Sequence, residues 1–539
     1  MKRIDIVLAL ASIVLLGILL NSCKNPGEGV TININTNVLK APTAVRFVNA
    51  VKNAPHQPGT FPITIGGKDA ASVVTASNKT KFIATDGRIF LALKKGVIPS
   101  ESNPIIFTIA AEVPGFTPAT HTFRITKDKP MLVEIPMVEY ANPVKGTSAK
   151  VQDDPLVGGT TATAITIETP LTLGMTEQAT ISIAPGTKFL DAAGNVINAA
   201  RLETRVVNYG SDAPESLAAF PGGFNATTVL GENGQAIPGG VAFVTAGFIA
   251  IDMYAGGTEV KSFSKPLTVK MGISKTLLNP ETGAKVKVGD VWPVWSLDDK
   301  TGQWAYEAKS TVVADADGDF IASFSPTHLS FWNFDHVLSF CRKELTVTFN
   351  APNYLDDLYT VEMRNDRGYK YERNLFIADK LSDTFEAPIG NTQFIVRDAK
   401  RNIVAETPVF DACTAGSFTI NMPSTAAIDI VNVALKLKGV CPNEPIDANV
   451  TAWVYVYELT KGLGNANLVY MTNGTVNLTV KNNTKYGVQA WYGDKWKTTE
   501  ILFTKTNFAF PGTIKGTAVF VESTKTLNVD AEFPLPDCN

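Results

Sequence analysis

Apolar and polar positions alternate with a two-residue repeat through most of the chain. The alternation is clearest in Thr31 to Val38, Thr180 to Ile183, Leu345 to Phe349, Trp453 to Tyr457 and Tyr486 to Tyr492, runs rich in β-branched and aromatic residues. A repeat of two puts successive side chains on opposite faces of an extended strand. Helical spacing is nearly absent, and 41 Gly and 31 Pro supply turns between the runs. The pattern predicts an all-β chain, a string of antiparallel β-sandwich domains. With 539 residues and about 150 residues per domain, three to five domains are expected.

One segment breaks the pattern. Lys2 and Arg3 precede an apolar run from Ile6 to Leu20 that only Ser12 and Gly17 interrupt. Charge followed by a short apolar stretch is the order of an export signal, and the run falls short of the ~20 residues of a stable membrane span. It ends in Leu20-Asn21-Ser22-Cys23, which resembles the bacterial lipobox, with a small residue before the cysteine and a Leu three before it. The resemblance implies a signal peptide over 1–22 and a diacylglycerol on the thiol of Cys23, with further acylation, palmitate included, giving stable anchoring. Residues 23–40, opening with Lys24-Asn25-Pro26-Gly27-Glu28, read as a tether. No Asp follows the cysteine, which by resemblance to known sorting rules implies the outer membrane, at its surface or its periplasmic face.

Beyond the tether, four units are expected. Over 41–142, Asp86-Gly87 precedes the run Arg88 to Leu93, and Gly115-Phe116 precedes paired strands ending at Val138. This order resembles the transthyretin-like sandwich found as a carboxypeptidase regulatory domain, which implies a spacer or interaction module. Over 150–340 stand Ile183-Ala184-Pro185-Gly186-Thr187, Phe220-Pro221-Gly222-Gly223, Gly256-Gly257, and Gly289-Asp290-Val291-Trp292-Pro293-Val294-Trp295-Ser296. Thr301-Gly302-Gln303-Trp304 and His328-Leu329-Ser330-Phe331-Trp332-Asn333-Phe334-Asp335 close that stretch. Their order resembles the β-rich domains grouped around the GAIN domain of adhesion receptors. Two further sandwiches, 341–425 and 430–539, divide near Pro423-Ser424-Thr425, and the second again resembles a carboxypeptidase regulatory-type domain.

A net charge of −3 gives no electrostatic reason to expect nucleic acid. Apart from Cys23, the cysteines are Cys341, Cys413, Cys441 and Cys538, an even number in an exported chain and without any CxxC spacing. That favours disulfides over a zinc or redox motif. Three pairings are open; the sequential one, Cys341 with Cys413 and Cys441 with Cys538, keeps each bridge inside one expected domain.

Catalytic sets are scarce. The chain has four histidines, His56, His121, His328 and His336, and no HExxH, GxSxG or phosphate-binding glycine loop. No cofactor is implied. Asp315, Asp317 and Asp319 alternate and could gather oxygen ligands around calcium, but an EF-hand needs Gly at position six and Glu at twelve. Here Gly318 stands at four and Pro326 at twelve, so a hairpin turn between Val312-Val313 and Phe320-Ile321 is the favoured reading. Trp453, Tyr455 and Tyr457 share one strand face, and with Trp491 they are candidate stacking platforms for sugars, against the commoner fate of such rings as core. The GAIN resemblance implies one more candidate, self-cleavage between Leu329 and Ser330. Ser330 would attack the Leu329 carbonyl while His328 takes the hydroxyl proton. Trp295 and Trp304 stand where the family's two tryptophans are expected, but its flanking cysteines are missing.

The expected function is therefore that of a cell-envelope lipoprotein with a structural, adhesive or protein-interaction role, not an enzyme. Its partners would be the membrane, through the lipid, and a protein, a matrix or a glycan. Glycan capture for nutrients and self-cleavage are the alternatives.

Overall fold

The computed structural model describes residues 32–35, 38–172, 175, 177–341, 344–355, 357–441, 446–463, 466–492, 495–506 and 508–535. The expected signal peptide and Cys23 lie outside them. The regular elements of the described chain are almost all strands, and they group into two compact units, one spanning Leu39–Ile428 and the other Asp429 onward together with the strand Ile32–Asn35.

Within the first unit the sheets form three groups along the chain: a first, a central and a third module. Residues 41–142 carry a four-stranded sheet in the order Met131–Met137, Lys40–Asn49, Arg88–Leu93, Val73–Thr75, with the first two strands parallel. A three-stranded sheet of Thr64–Gly66, Ile105–Ala111 and Ala119–Ile125 completes this module, and Phe47, Phe107 and Phe123 pack in its core. The central module has a nine-stranded and a five-stranded sheet enclosing Ile181, Val206, Ile251, Val269 and Trp332. The third has a five-stranded sheet and a three-stranded one, in which Leu345–Asn350 runs parallel to Ser417–Asn421.

These modules are packed against each other. Strand Val241–Ala255, fifteen residues long, reads VAFVTAGFIAIDMYA and is buried at nearly every position. A strand apolar on both sides must be covered on both faces. One face, with Ile249, Ile251 and Met253, lies in the central core, while the other, with Phe248 and Ala250, belongs to a cluster that continues into Leu345, Phe349, Tyr369 and Phe394 of the third module. Half-buried polar contacts close the seams. Tyr369 donates to Asn225 Oδ1 at 2.6 Å, the Thr108 hydroxyl donates to the Thr301 carbonyl at 2.8 Å, and Gly222 N–H donates to the Thr120 carbonyl at 3.0 Å. Gly302 shows how tight the second seam is, because a Cβ there would fall 2.1 Å from the Thr122 hydroxyl. Ion pairs Lys127–Glu344 (2.9 Å) and Arg124–Glu386 (3.5 Å) join the first module to the third.

The second unit is a sandwich over 430–534 whose core holds Val433, Val454, Val480, Phe503 and Val529. Part of the expected tether belongs to it: Ile32–Asn35 adds to the sheet edge, parallel to Ile446–Asn449. The alternation of Thr31 to Val38 was a strand signal, but its partner stands about 400 residues away, a pairing that local pattern does not specify.

Candidate functional site

The strands Thr147–Pro155, Arg201–Tyr209 and Val241–Ala255 lie side by side, and alternation sends Leu202, Val206 and Met253 into the central core. The opposite face changes character along its length. Val207, Tyr209 and Ala250 are buried beneath the neighbouring modules, whereas Asp153, Glu203 and Tyr254 form one cross-strand row and Val151, Arg205 and Asp252 the next. Where the apolar cover ends, a cleft of about 580 Å³ opens between this face and the first module's 112–118 segment and Tyr140.

Arg205 is central to the cleft. Its guanidinium lies 4.7 Å from the Tyr254 ring centroid and 5.9 Å from that of Tyr140, and its Nε donates to Glu203 at 2.5 Å. A planar cation stacked on aromatic faces is held in a fixed orientation. Arg201 is paired with Asp153 at 2.6 Å. Tyr140 donates to Asp252 Oδ2 at 3.0 Å. Burial pushes the Asp252 carboxyl up to about 7, and Asp299, Glu112 and Glu259 push the same way. Glu112, at the rim, is also raised, by burial and then by Glu259 and Asp299. A carboxyl poised near neutrality behind a cleft, bonded to the Tyr140 that lines it, marks a candidate site.

None of these residues stood out in the sequence. The faint signals were Arg201-Leu202-Glu203-Thr204-Arg205, charged at alternate positions, and Asp252 inside an otherwise apolar run. The 112–118 segment reaches them only through module packing.

The predicted self-cleavage residues are neighbours, but their reactive groups are otherwise engaged. The Ser330 hydroxyl donates to the Leu297 carbonyl at 2.5 Å. His328 has Nε2 3.6 Å from Glu307, packs its ring on Trp332, and has Nδ1 3.4 Å from the Leu329 carbonyl. The bond to Glu307 raises the His328 pKa against the effect of burial. Among the described residues no hydrogen bond links His328 to Ser330, so base and nucleophile are not coupled in this structure. Trp295 and Trp304 are buried, and Trp295 donates to the Asp335 carbonyl.

Asp315, Asp317 and Asp319 lie exposed on the hairpin between Val313–Ala314 and Phe320–Phe324. Asp315 accepts the amides of Asp317 and Asp319, and Asp319 pairs with Lys275 at 2.9 Å. The same turn recurs at Asp191, Asn365 and Asp398, each accepting amides two and four residues on. Its fourth residue has positive φ: Gly194, Gly318, Gly368 and Arg401. The carboxylate at 315 therefore does turn chemistry shared with sites that lack its neighbours.

Cys341 and Cys413 are bonded. Each precedes one of the two parallel neighbours Leu345–Asn350 and Ser417–Asn421, so the bridge ties their starts together. Cys441 is also disulfide-bonded; its expected partner Cys538 lies outside the described residues.

In the second unit, Trp453, Tyr455 and Tyr457 do share the face opposite the core, the Tyr457 ring lying over Gly487. Trp453 and Tyr455 are 4% and 1% exposed, which corrects the expectation that they present open rings to a sugar. Trp453 packs on Tyr470 at 4.9 Å, Tyr455 on Trp496 at 5.4 Å, and Trp491 on Trp496 at 5.1 Å. Rings that meet a core layer on one side of a strand and a second aromatic layer on the other are fixed by packing.

No family model and no curated protein matches this chain. Among solved structures, the chain is similar to the major pilin subunit of Bacillus cereus, at 8% identity over 92% of this chain and 99% of that one, with a TM-score of 0.14. A minor pilin of Streptococcus agalactiae matches at 10% identity over 36% of this chain and 98% of that one, with a TM-score of 0.13. The pilus adhesin SpaC of Lactobacillus rhamnosus matches at 10% identity over 72% and 56% respectively, with a TM-score of 0.14. At such scores the structures do not superpose as wholes.

Proposed function

We propose that the chain is a lipid-anchored binding protein of the cell surface, held to the outer membrane through acyl chains on Cys23 and adhesive in role. The observation that carries this reading is the packing of residues 39–428. The central and third sandwiches share one continuous apolar cluster, and hydrogen bonds tie the first to the central one across their seam, the arrangement of a body that transmits load without bending at linkers. The groups that chemistry would need are already engaged in structure. The Ser330 hydroxyl is bonded to a carbonyl, His56 to Glu139 at 2.6 Å, and His121 and His336 pack on Phe123 and Trp292.

The test expresses the full chain with its own leader and compares it with Cys23→Ala. Wild type is expected to sediment with outer membranes after a high-salt wash and to retain cells on an immobilised matrix, and Cys23→Ala to do neither. A variant that still partitions with membranes overturns the anchor; membrane-bound wild type that adheres to nothing overturns the adhesive role.

A further inference from the structure

We propose that the cleft between the first and central modules is a glycan site, taking a neutral oligosaccharide segment between Tyr254, Arg205 and the 112–118 rim. This rests on the binding role above and names its ligand class.

Much of the hydrogen-bonding capacity in the cleft is unspent. Guanidinium carries five N–H donors, and among the described residues only Nε of Arg205 makes a hydrogen bond. The Tyr254 hydroxyl likewise has no protein partner among them, although the ring is stacked in place by Arg205. Glu112 at the rim accepts no hydrogen bond there either. Fixed donors and acceptors thus face one space, in a cleft whose volume lies in the ordinary range for small ligands, about 300–1,000 Å³.

Charge then separates the ligand classes. An anion would meet Arg205 and Arg201, but Glu203 and Asp153 already neutralise them, and the Glu112 carboxyl lines the same cleft. A cation would meet the Arg205 guanidinium in the middle of the site. A neutral polyol suits both signs at once, since each hydroxyl donates to a carboxylate and accepts from guanidinium or phenol. Apolar ring faces of a sugar can lie on Tyr254 and Pro118, both half-buried and both lining the cleft. Gly115, Gly256 and Gly257 add no side chains to the lining.

The test is affinity electrophoresis of the full chain through gels containing soluble starch, mixed-linkage β-glucan, xylan, galactomannan or, as the anionic arm, polygalacturonate, with polylysine binding measured separately. Variants are Arg205→Lys, which keeps the charge and loses the planar fork, and Tyr254→Phe, which keeps the ring. An unchanged melting temperature shows that each variant is folded. At least one neutral polysaccharide is expected to retard the wild type, with affinity at least tenfold weaker in Arg205→Lys and several-fold weaker in Tyr254→Phe. The proposal is overturned by no retardation in any neutral gel, by retardation unchanged in both variants, or by binding confined to polygalacturonate or polylysine. Whole-cell adhesion run beside it separates the two readings. Adhesion that persists when the gels show nothing removes the glycan site and leaves the binding role, whereas loss of both removes both.

Discussion

Removing the bridge between Cys341 and Cys413 measures how far the modules of residues 39–428 behave as one body. The bridge closes a loop with a sequence separation of 72, for which the chain-entropy relation gives about 4 kcal/mol of stabilisation at 25 °C. What that does to the melting temperature depends on how much of the chain melts together. Unfolding entropy is about 2.1 cal/mol/K per residue. If all of about 390 residues unfold in one step, the Cys341→Ser/Cys413→Ser double variant should melt about 5 °C lower. If only the roughly 85 residues of the third module were released, the same energy would move that module by about 20 °C. The double variant is preferred to a reductant because Cys441 is also bridged. Calorimetry would be read beside tryptophan fluorescence, since Trp292, Trp295, Trp304 and Trp332 all lie in the central module and none in the third. The packed body predicts a small shift in which the heat and the signal from these tryptophans move together. A separate transition some 20 °C lower, without a fluorescence change, would refute the continuous core as an energetic unit.

Tyr369→Phe should cost about 1 kcal/mol in urea unfolding, because it leaves the half-buried Asn225 Oδ1 without its 2.6 Å donor; a change below a few tenths would mean that the seam is wet. Asp335 is fully buried beside Thr245 and Asn333, with no cation paired to it among the described residues, and burial holds its carboxyl well above the usual range. Its folded-state value lies above its unfolded one, so the stability it contributes is present at low pH and falls as pH rises. Asp335→Asn lacks that term, and its stability relative to wild type should improve between pH 4.5 and pH 8; an equal difference at both pH values would contradict this. Intact-mass spectrometry should find one polypeptide in wild type and in Ser330→Ala alike, the hydroxyl being bonded to the Leu297 carbonyl; a fragment ending at Leu329 would overturn that reading.

The strand content was legible because a repeat of two is local, and Leu345–Asn350, Ala452–Glu458 and Thr484–Tyr492 lie where alternation put them. Association of the modules was written more faintly. The unbroken apolar run of Val241–Ala255 announces two covered faces, but nothing in it names Leu345 or Phe394 as the cover. The sequential bridge of Cys341 with Cys413 followed from keeping loops inside a module. Trp453 and Tyr455 show where local pattern stops informing. Alternation gave their face, and only tertiary packing decides whether such a face is open or filled. The cleft was illegible for the same reason, since Glu112, Tyr140, Arg205 and Tyr254 come from four separate segments and meet only where two modules touch.

The adhesive role requires the chain to face outward, and protease shaving of intact cells tests that most directly. An epitope within residues 430–535 is followed by immunoblot, with a periplasmic protein as control. An outward-facing adhesin loses the epitope from intact cells while the control stays whole; full protection until the outer membrane is permeabilised would contradict it.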